Sequence, residues 1–198
     1  MFNGAPASYA DIKAGFTFER TIADEISRML RSPEKLTATV LGAGGVGKTT
    51  AARQVALLLQ SDGFCAWEHQ GDHEIDTAAW LLFAKELQEQ SKQGILVVDD
   101  AHLHLHEINI LLDSLITDGL SALKILAVSS RNNWQLRVKT PNLFKFGKEY
   151  YLSKLNTTEI DKLIRACFQS GLKDSAGIRR NFLRLCHDIA SRTSSGRT

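Results

Sequence analysis

Strands alternating with helices along one chain predict an α/β fold in three layers. It has a central, mainly parallel five-stranded sheet and a small helical C-terminal extension. Three observations carry this expectation. Apolar, β-rich runs recur at "KLTATVLG", "GILVVDD" and "LKILAVSS"; segments of helical periodicity separate them; and the runs are continuous rather than alternating, as strands covered on both faces are. The 198 residues suffice for one well-buried core with an appendage, and not for two full domains of ordinary size. The expected organisation is a loosely held lead-in over 1–16, a core over 17–153 and a helical extension over 154–198.

The elements follow in order. After a lead-in rich in Gly, Ala, Pro and Ser, "TFERTIADEISRMLRS" sets Ile22, Ile26, Met29 and Leu30 at helical spacing, and this helix ends before Pro33. "KLTATVLG" reads as a strand that stops at glycines, and "KTTAARQVALLLQ" as the helix after them. "FCAWEHQ" is a short second strand. "EIDTAAWLLFAKELQEQSKQ" is a long helical segment offering Ile75, Ala79, Leu82 and Leu87 to one face. "GILVVDD" is a strand closed by two acids, "EINILLDSLITDGL" a helix, "LKILAVSS" another buried strand and "KEYYLS" a last, shorter one. "TTEIDKLIRACFQSG", capped by Thr157 or Thr158, and a segment from Ala176 to Ala190 complete the helices.

Composition excludes several classes. Hydrophobic content of 43% and charged content of 23% are those of a globular protein. No apolar run is long enough to span a membrane, and "MFNGAPASYADIK" lacks the basic start and apolar middle of a signal peptide, so no membrane association and a cytoplasmic location are expected. Cys65, Cys167 and Cys186 stand far apart in no CxxC spacing, which argues for buried free thiols over a disulfide framework or a zinc site. A net charge of +2 gives no global attraction to nucleic acid. Only the tail, with Lys173, Arg179, Arg180, Arg184, Arg192 and Arg197, is locally basic, as a solvated helix face is.

The stretch "LGAGGVGKTT" carries the chemistry. Gly42, Gly47, Lys48 and Thr49 satisfy the G-x-x-x-x-G-K-[ST] spacing of a phosphate-binding loop, with a strand before it and a helix after it. The backbone of Gly42, Ala43, Gly44, Gly45, Val46 and Gly47 curls so that N–H groups face phosphate oxygens, and the helix starting at Lys48 adds its positive N-terminal dipole. Lys48 reaches the β and γ phosphates, Thr49 supplies a hydroxyl to Mg²⁺, and Thr50 bonds the α phosphate. The acids closing "ILVVDD" complete the set: Asp99 holds Mg²⁺ through water, and Asp100 orients or deprotonates the attacking water. In "ILAVSSR", Ser129, Ser130 and Arg131 fall at the carboxyl edge of the sheet, where Arg131 is placed to bond the γ phosphate.

The residues exclude some relatives. Partition-type ATPases carry a lysine immediately before "GGVGKTT", where this chain has Ala43; the guanine-binding Asn-Lys-x-Asp element is missing, its nearest echo being "SKLN", so ATP or ADP is favoured over a guanine nucleotide. The combination of "GAGGVGKTT", "ILVVDDAH", "ILAVSSR" and "YYLSKLNTTEIDKLI" resembles the signal-transducing STAND ATPases, with their NB-ARC switches and AAA-like core, over residues 17–165. "FTFER" is similar to the aromatic-arginine segment that helps seat adenine there, which by that analogy puts Phe18 and Arg20 against nucleotide, although Glu19 stands where the usual glycine would be. The resemblance implies a P-loop NTPase that switches between ATP and ADP with slow hydrolysis, and that forms homo-oligomers when ATP-bound. The winged-helix part with its phosphate-sensing histidine is not found in this sequence, so sensor and effector domains are expected as missing or separate partners.

The alternative is an AAA+-type motor or loader acting as an oligomer on DNA or protein, with Arg137, Arg179 or Arg180 reaching a neighbour's nucleotide. Nucleic acid is not otherwise indicated. "HLHLH", with His102, His104 and His106, lacks a fourth ligand at metal spacing. His102 alone is set near the nucleotide edge. Trp67, Trp80 and Trp134 all read first as packing residues; of the three only Trp134, just after Arg131, is also placed to face the active edge or a partner.

Overall fold

In the computed structural model, which describes residues 6–153 together with Glu159 and Lys162, twelve elements follow one another. They are α1 (Tyr9–Lys13), α2 (Thr21–Leu30), β1 (Thr37–Gly42), α3 (Lys48–Ser61), β2 (Cys65–Glu68), α4 (Thr77–Glu89), β3 (Gly94–Val98), α5 (Leu105–Thr117), β4 (Leu123–Ser130), α6 (Arg131–Gln135), α7 (Pro141–Lys145) and β5 (Gly147–Leu152). The strands form one sheet in the order β2-β3-β4-β1-β5, and every pairing is parallel. The loop strand β1 and the acid strand β3 are therefore not neighbours; β4 runs between them.

Side-chain alternation divides the core into two. Ala38, Val40, Ile95, Val97, Leu126 and Val128 face a cluster completed by α2 and α3 through Ile26, Leu30, Val55 and Leu59. Leu96, Val98, Ile125 and Ala127 face the other way, onto Ala84, Leu87, Ile108, Leu112 and Leu115 of α4 and α5. β1, β3 and almost all of β4 are buried, as the continuous apolar runs require.

Several expectations change. Residues expected in a loose lead-in form α1, because Ser8 and Asp11 cap each other reciprocally and Arg53 holds the turn from outside, donating to the Ala7 carbonyl at 2.8 Å. The α4 face differs too. Ala79 and Leu82 are exposed, while Ala84 and Leu87 are buried with Trp80, Leu81 and Phe83 packed beside them. Trp67 fixes that rotation, standing edge-on to Trp80 at 5.8 Å and to Phe83 at 4.8 Å. The helices α6 and α7 have no counterpart in the sequence reading. The extension over 154–198, with Thr157, Thr158, Cys167, Cys186 and the basic tail including Arg179 and Arg180, lies outside the described residues apart from Glu159 and Lys162.

Candidate functional site

The glycine loop rises from the carboxyl end of β1. At Gly42 a side chain is impossible: an added Cβ would lie 2.6 Å from the Leu152 carbonyl oxygen at the end of β5. That glycine thus serves strand packing as well as the loop. Gly47 caps α3 with φ 90°, a left-handed conformation that turns the chain into the helix. Ala43, Gly44 and Gly45 form the exposed crest, and Val46 packs down onto the α2–α3 core.

Lys48, the first residue of α3, spans the loop with its ammonium donating to the Ala43 carbonyl at 2.8 Å. The next residue reaches the acid strand, since Thr49 Oγ1 donates to Asp99 Oδ2 at 2.7 Å. Asp99's other oxygen accepts the Asp100 amide at 2.9 Å, so this carboxylate is held from two sides. Asp100 has φ 45° and is exposed; aspartate tolerates this region better than most residues. A hard hydroxyl oxygen and a carboxylate oxygen side by side at a helix N-terminus are the donor chemistry that suits Mg²⁺ beside a phosphate, so the residues present fit both groups.

β4 contributes the next polar layer. Ser129 is fully buried, and its hydroxyl donates to the Ser130 carbonyl at 3.2 Å and meets His102 Nδ1 at 3.1 Å. His102 Nε2 lies 3.1 Å from Asn133 Nδ2. With Ser129 donating to the carbonyl, this set is satisfied when His102 carries its proton on Nδ1 and accepts from Asn133. His102 thus stands at the edge as expected, whereas Asn133 was missed because its link to His102 arises only from the turn into α6. Among the described residues no group of three or more His, Cys, Asp or Glu side chains is placed to hold a metal.

Arg131 opens α6 at the carboxyl end of β4, exposed, with its guanidinium 5.3 Å from the centre of the Tyr151 ring. Trp134 does not face the edge or a partner. It is fully buried and donates from Nε1 to Glu149 at 2.8 Å, because the five-residue α6 turns it back onto the sheet.

Arg20, expected by analogy against nucleotide, takes three protein partners. Its Nε donates to Glu159 at 3.1 Å, one terminal nitrogen to the Val46 carbonyl at 3.1 Å and the other to the Ser153 carbonyl at 3.2 Å. Gln54 of α3, unremarked in the sequence, holds the same segment, accepting the Arg20 amide and donating to the Phe18 carbonyl. Phe18 lies under the Arg20 guanidinium at 5.8 Å. The loop, the end of β5 and Glu159 are therefore bolted together by one arginine. Glu159 falls within "YYLSKLNTTEIDKLI", but nothing local to either residue announces the pairing.

A glycine loop between β1 and a helix, with an acid pair on the strand two places away in a parallel sheet, defines a P-loop NTPase. The chain belongs to the Novel STAND NTPase 5 family, whose model matches residues 1–141. No curated protein matches it. Among solved structures it is similar to the Aeropyrum pernix ORC2 protein in its ADPNP–ADP complexes, at 14% identity and TM-score 0.56, covering 78% of this chain and 52% of that one. AMPPCP-bound DnaA from Aquifex aeolicus gives 16% and 0.53, covering 82% and 55%. S. cerevisiae Hsp104 in its casein complex gives 16% and 0.59, covering 82% and 32%. The chain thus spans about half or less of the length of these proteins, and at such identities the likeness is one of fold. No helix among the described residues is long and apolar enough to cross a membrane.

Proposed function

We propose that the protein binds ATP and ADP and hydrolyses ATP slowly with Mg²⁺, as the nucleotide switch of a signalling or defence assembly. The observation that carries this reading is the hydrogen bond from Thr49 to Asp99, which joins the end of the glycine loop to the acid strand across 50 residues of sequence. The loop amides from Gly42 to Gly47 and the α3 N-terminus bind the phosphates, and Lys48 exchanges its Ala43 contact for β and γ oxygens. Thr49 and Asp99 would hold Mg²⁺, which supplies charge neutralisation at the phosphates. Asp100, freer than Asp99, orients the attacking water and receives its proton. Arg131 bonds the γ phosphate from the end of β4. Arg20 acts indirectly, fixing the loop at Val46.

Sensor and effector domains, and further copies of the chain in the ATP state, are the proposed partners. Residues 17–153 form the proposed nucleotide-binding core.

The test is to denature purified protein, identify any released nucleotide by chromatography, and follow phosphate release from ATP. Retained ADP and slow turnover, abolished in Asp100→Asn, support the switch. An empty site with rapid turnover that rises with protein concentration or with added DNA overturns it in favour of a motor.

A further inference from the structure

The segment ahead of the core is tied to the site by contacts that phosphate binding, as read above, does not use. Both backbone groups of Ala7, which is 3% exposed, go to α3: its amide donates to Thr50 Oγ1 at 3.3 Å, and its carbonyl accepts from Arg53 at 2.8 Å. Thr50 and Arg53 are three apart, on one helix face. Arg53 in turn grips Glu68, the last residue of β2, with two nitrogens, at 3.0 Å from Nε to Oε2 and 2.6 Å from the terminal nitrogen to Oε1. The Tyr9 ring lies 5.6 Å from the same guanidinium. Burial first and the Glu68 carboxylate second push the Tyr9 phenol well above its ordinary value, so the ring stays neutral in this clamp.

We propose that residues 6–13 form a strap belonging to the nucleotide site, and that strap docking and nucleotide binding favour each other through Thr50. The threonine hydroxyl accepts from Ala7, and its own proton has no acceptor among the described residues. An α-phosphate oxygen takes that proton. The result is a chain from the Ala7 amide through the Thr50 hydroxyl to phosphate, in which each bond polarises the next. A docked strap pre-aims the hydroxyl, and by reciprocity bound nucleotide holds the strap. Arg53, Glu68 and Tyr9 are positioning residues in this device. It rests on the reading of the loop as a nucleotide site.

The experiment is hydrogen exchange of the full-length protein with and without ADP, beside calorimetric ADP binding by wild type, Arg53→Met and Arg53→Lys. ADP is expected to slow exchange of the amides over 7–13. Both substitutions are expected to weaken ADP binding by about fivefold or more and to leave strap exchange fast with ADP present. Arg53→Lys keeps the charge and loses the two-pronged grip. If it binds ADP like wild type while its strap exchanges fast, the effect is one of charge and the proposal fails. If wild type binds ADP with unaltered strap exchange, the strap fails and the nucleotide site stands. If wild type binds no nucleotide, both fall. Should the Arg53 variants not fold, the wild-type exchange comparison and Tyr9→Ala, with the same expected loss, decide the matter.

Discussion

Two lysines sit at opposite edges of the same sheet, and the protein treats them differently. Lys124, near the amino end of β4, is 1% exposed and donates to the carbonyls of Ser32 at 3.0 Å and Lys35 at 2.9 Å. Burial lowers its pKa to about 8. Lys48, at the carboxyl edge, is only partly buried and among the described residues makes one bond, to its own loop. An ammonium has three donors. At the amino edge two of them are used to close off the turn after α2; at the carboxyl edge most are left for something else. The sheet thus has a finished end and a working end, and buried polar groups mean different things at each.

The largest expected effect on stability is at the working end. Arg20→Met takes the guanidinium from Glu159, which keeps the Thr21 amide and hydroxyl, and releases Val46 and Ser153, so denaturant unfolding should show a loss of about 3 kcal/mol. A loss below 1 kcal/mol would mean that the bolt is ornamental. Asp100→Asn should lower phosphate release by about 10²–10⁴-fold, with ATP affinity nearly unchanged, since on the proposed reading it removes only the group that handles the water's proton. Lys48→Ala should weaken ATP binding by about a hundredfold with little change in unfolding midpoint, the scale of a lost charge-assisted contact of roughly 3 kcal/mol.

The finished end shows its effect only through pH. The folded-state value of Lys124 lies below its ordinary 10.5, so the unfolded chain binds the extra proton between about 8 and 10.5. Stability from this group therefore rises with pH across that window, and below it the cost of the buried charge is constant. Lys124→Met should flatten the rise, as read by unfolding midpoints between pH 7 and 10.5. An unchanged slope would mean that the ammonium is not the group responsible.

The working end was legible in the sequence where its chemistry is local. A phosphate loop needs its glycines, lysine and threonine at fixed spacing, and an acid pair closing an apolar run advertises a strand end, so the placement of Lys48, Thr49, Asp99 and Asp100 at one edge of the sheet was legible without coordinates. The five strands were found for the same reason. The bolt was not, because Arg20 and Glu159 are 139 residues apart and nothing local to either points to the other. Trp134 is a packing residue, the first of its two readings; adjacency to Arg131 does not say which way a five-residue helix turns its fourth side chain. The α4 face was misread because Leu82 is apolar yet exposed, while the Trp67, Trp80 and Phe83 cluster sets the helix rotation. Lys124 looked like any strand lysine; its carbonyl partners come from a distant turn.

The position of β4 between β1 and β3 has a metrical consequence. Adjacent strands stand about 4.8 Å apart, so the roots of the loop and of the acid pair are separated by two such steps, roughly 9.6 Å. A backbone ladder allows no intermediate widths, so the gauge of the slot between them is counted in whole strands. Substitutions at the rim can tune what enters it, but only a change in strand order could widen or narrow it.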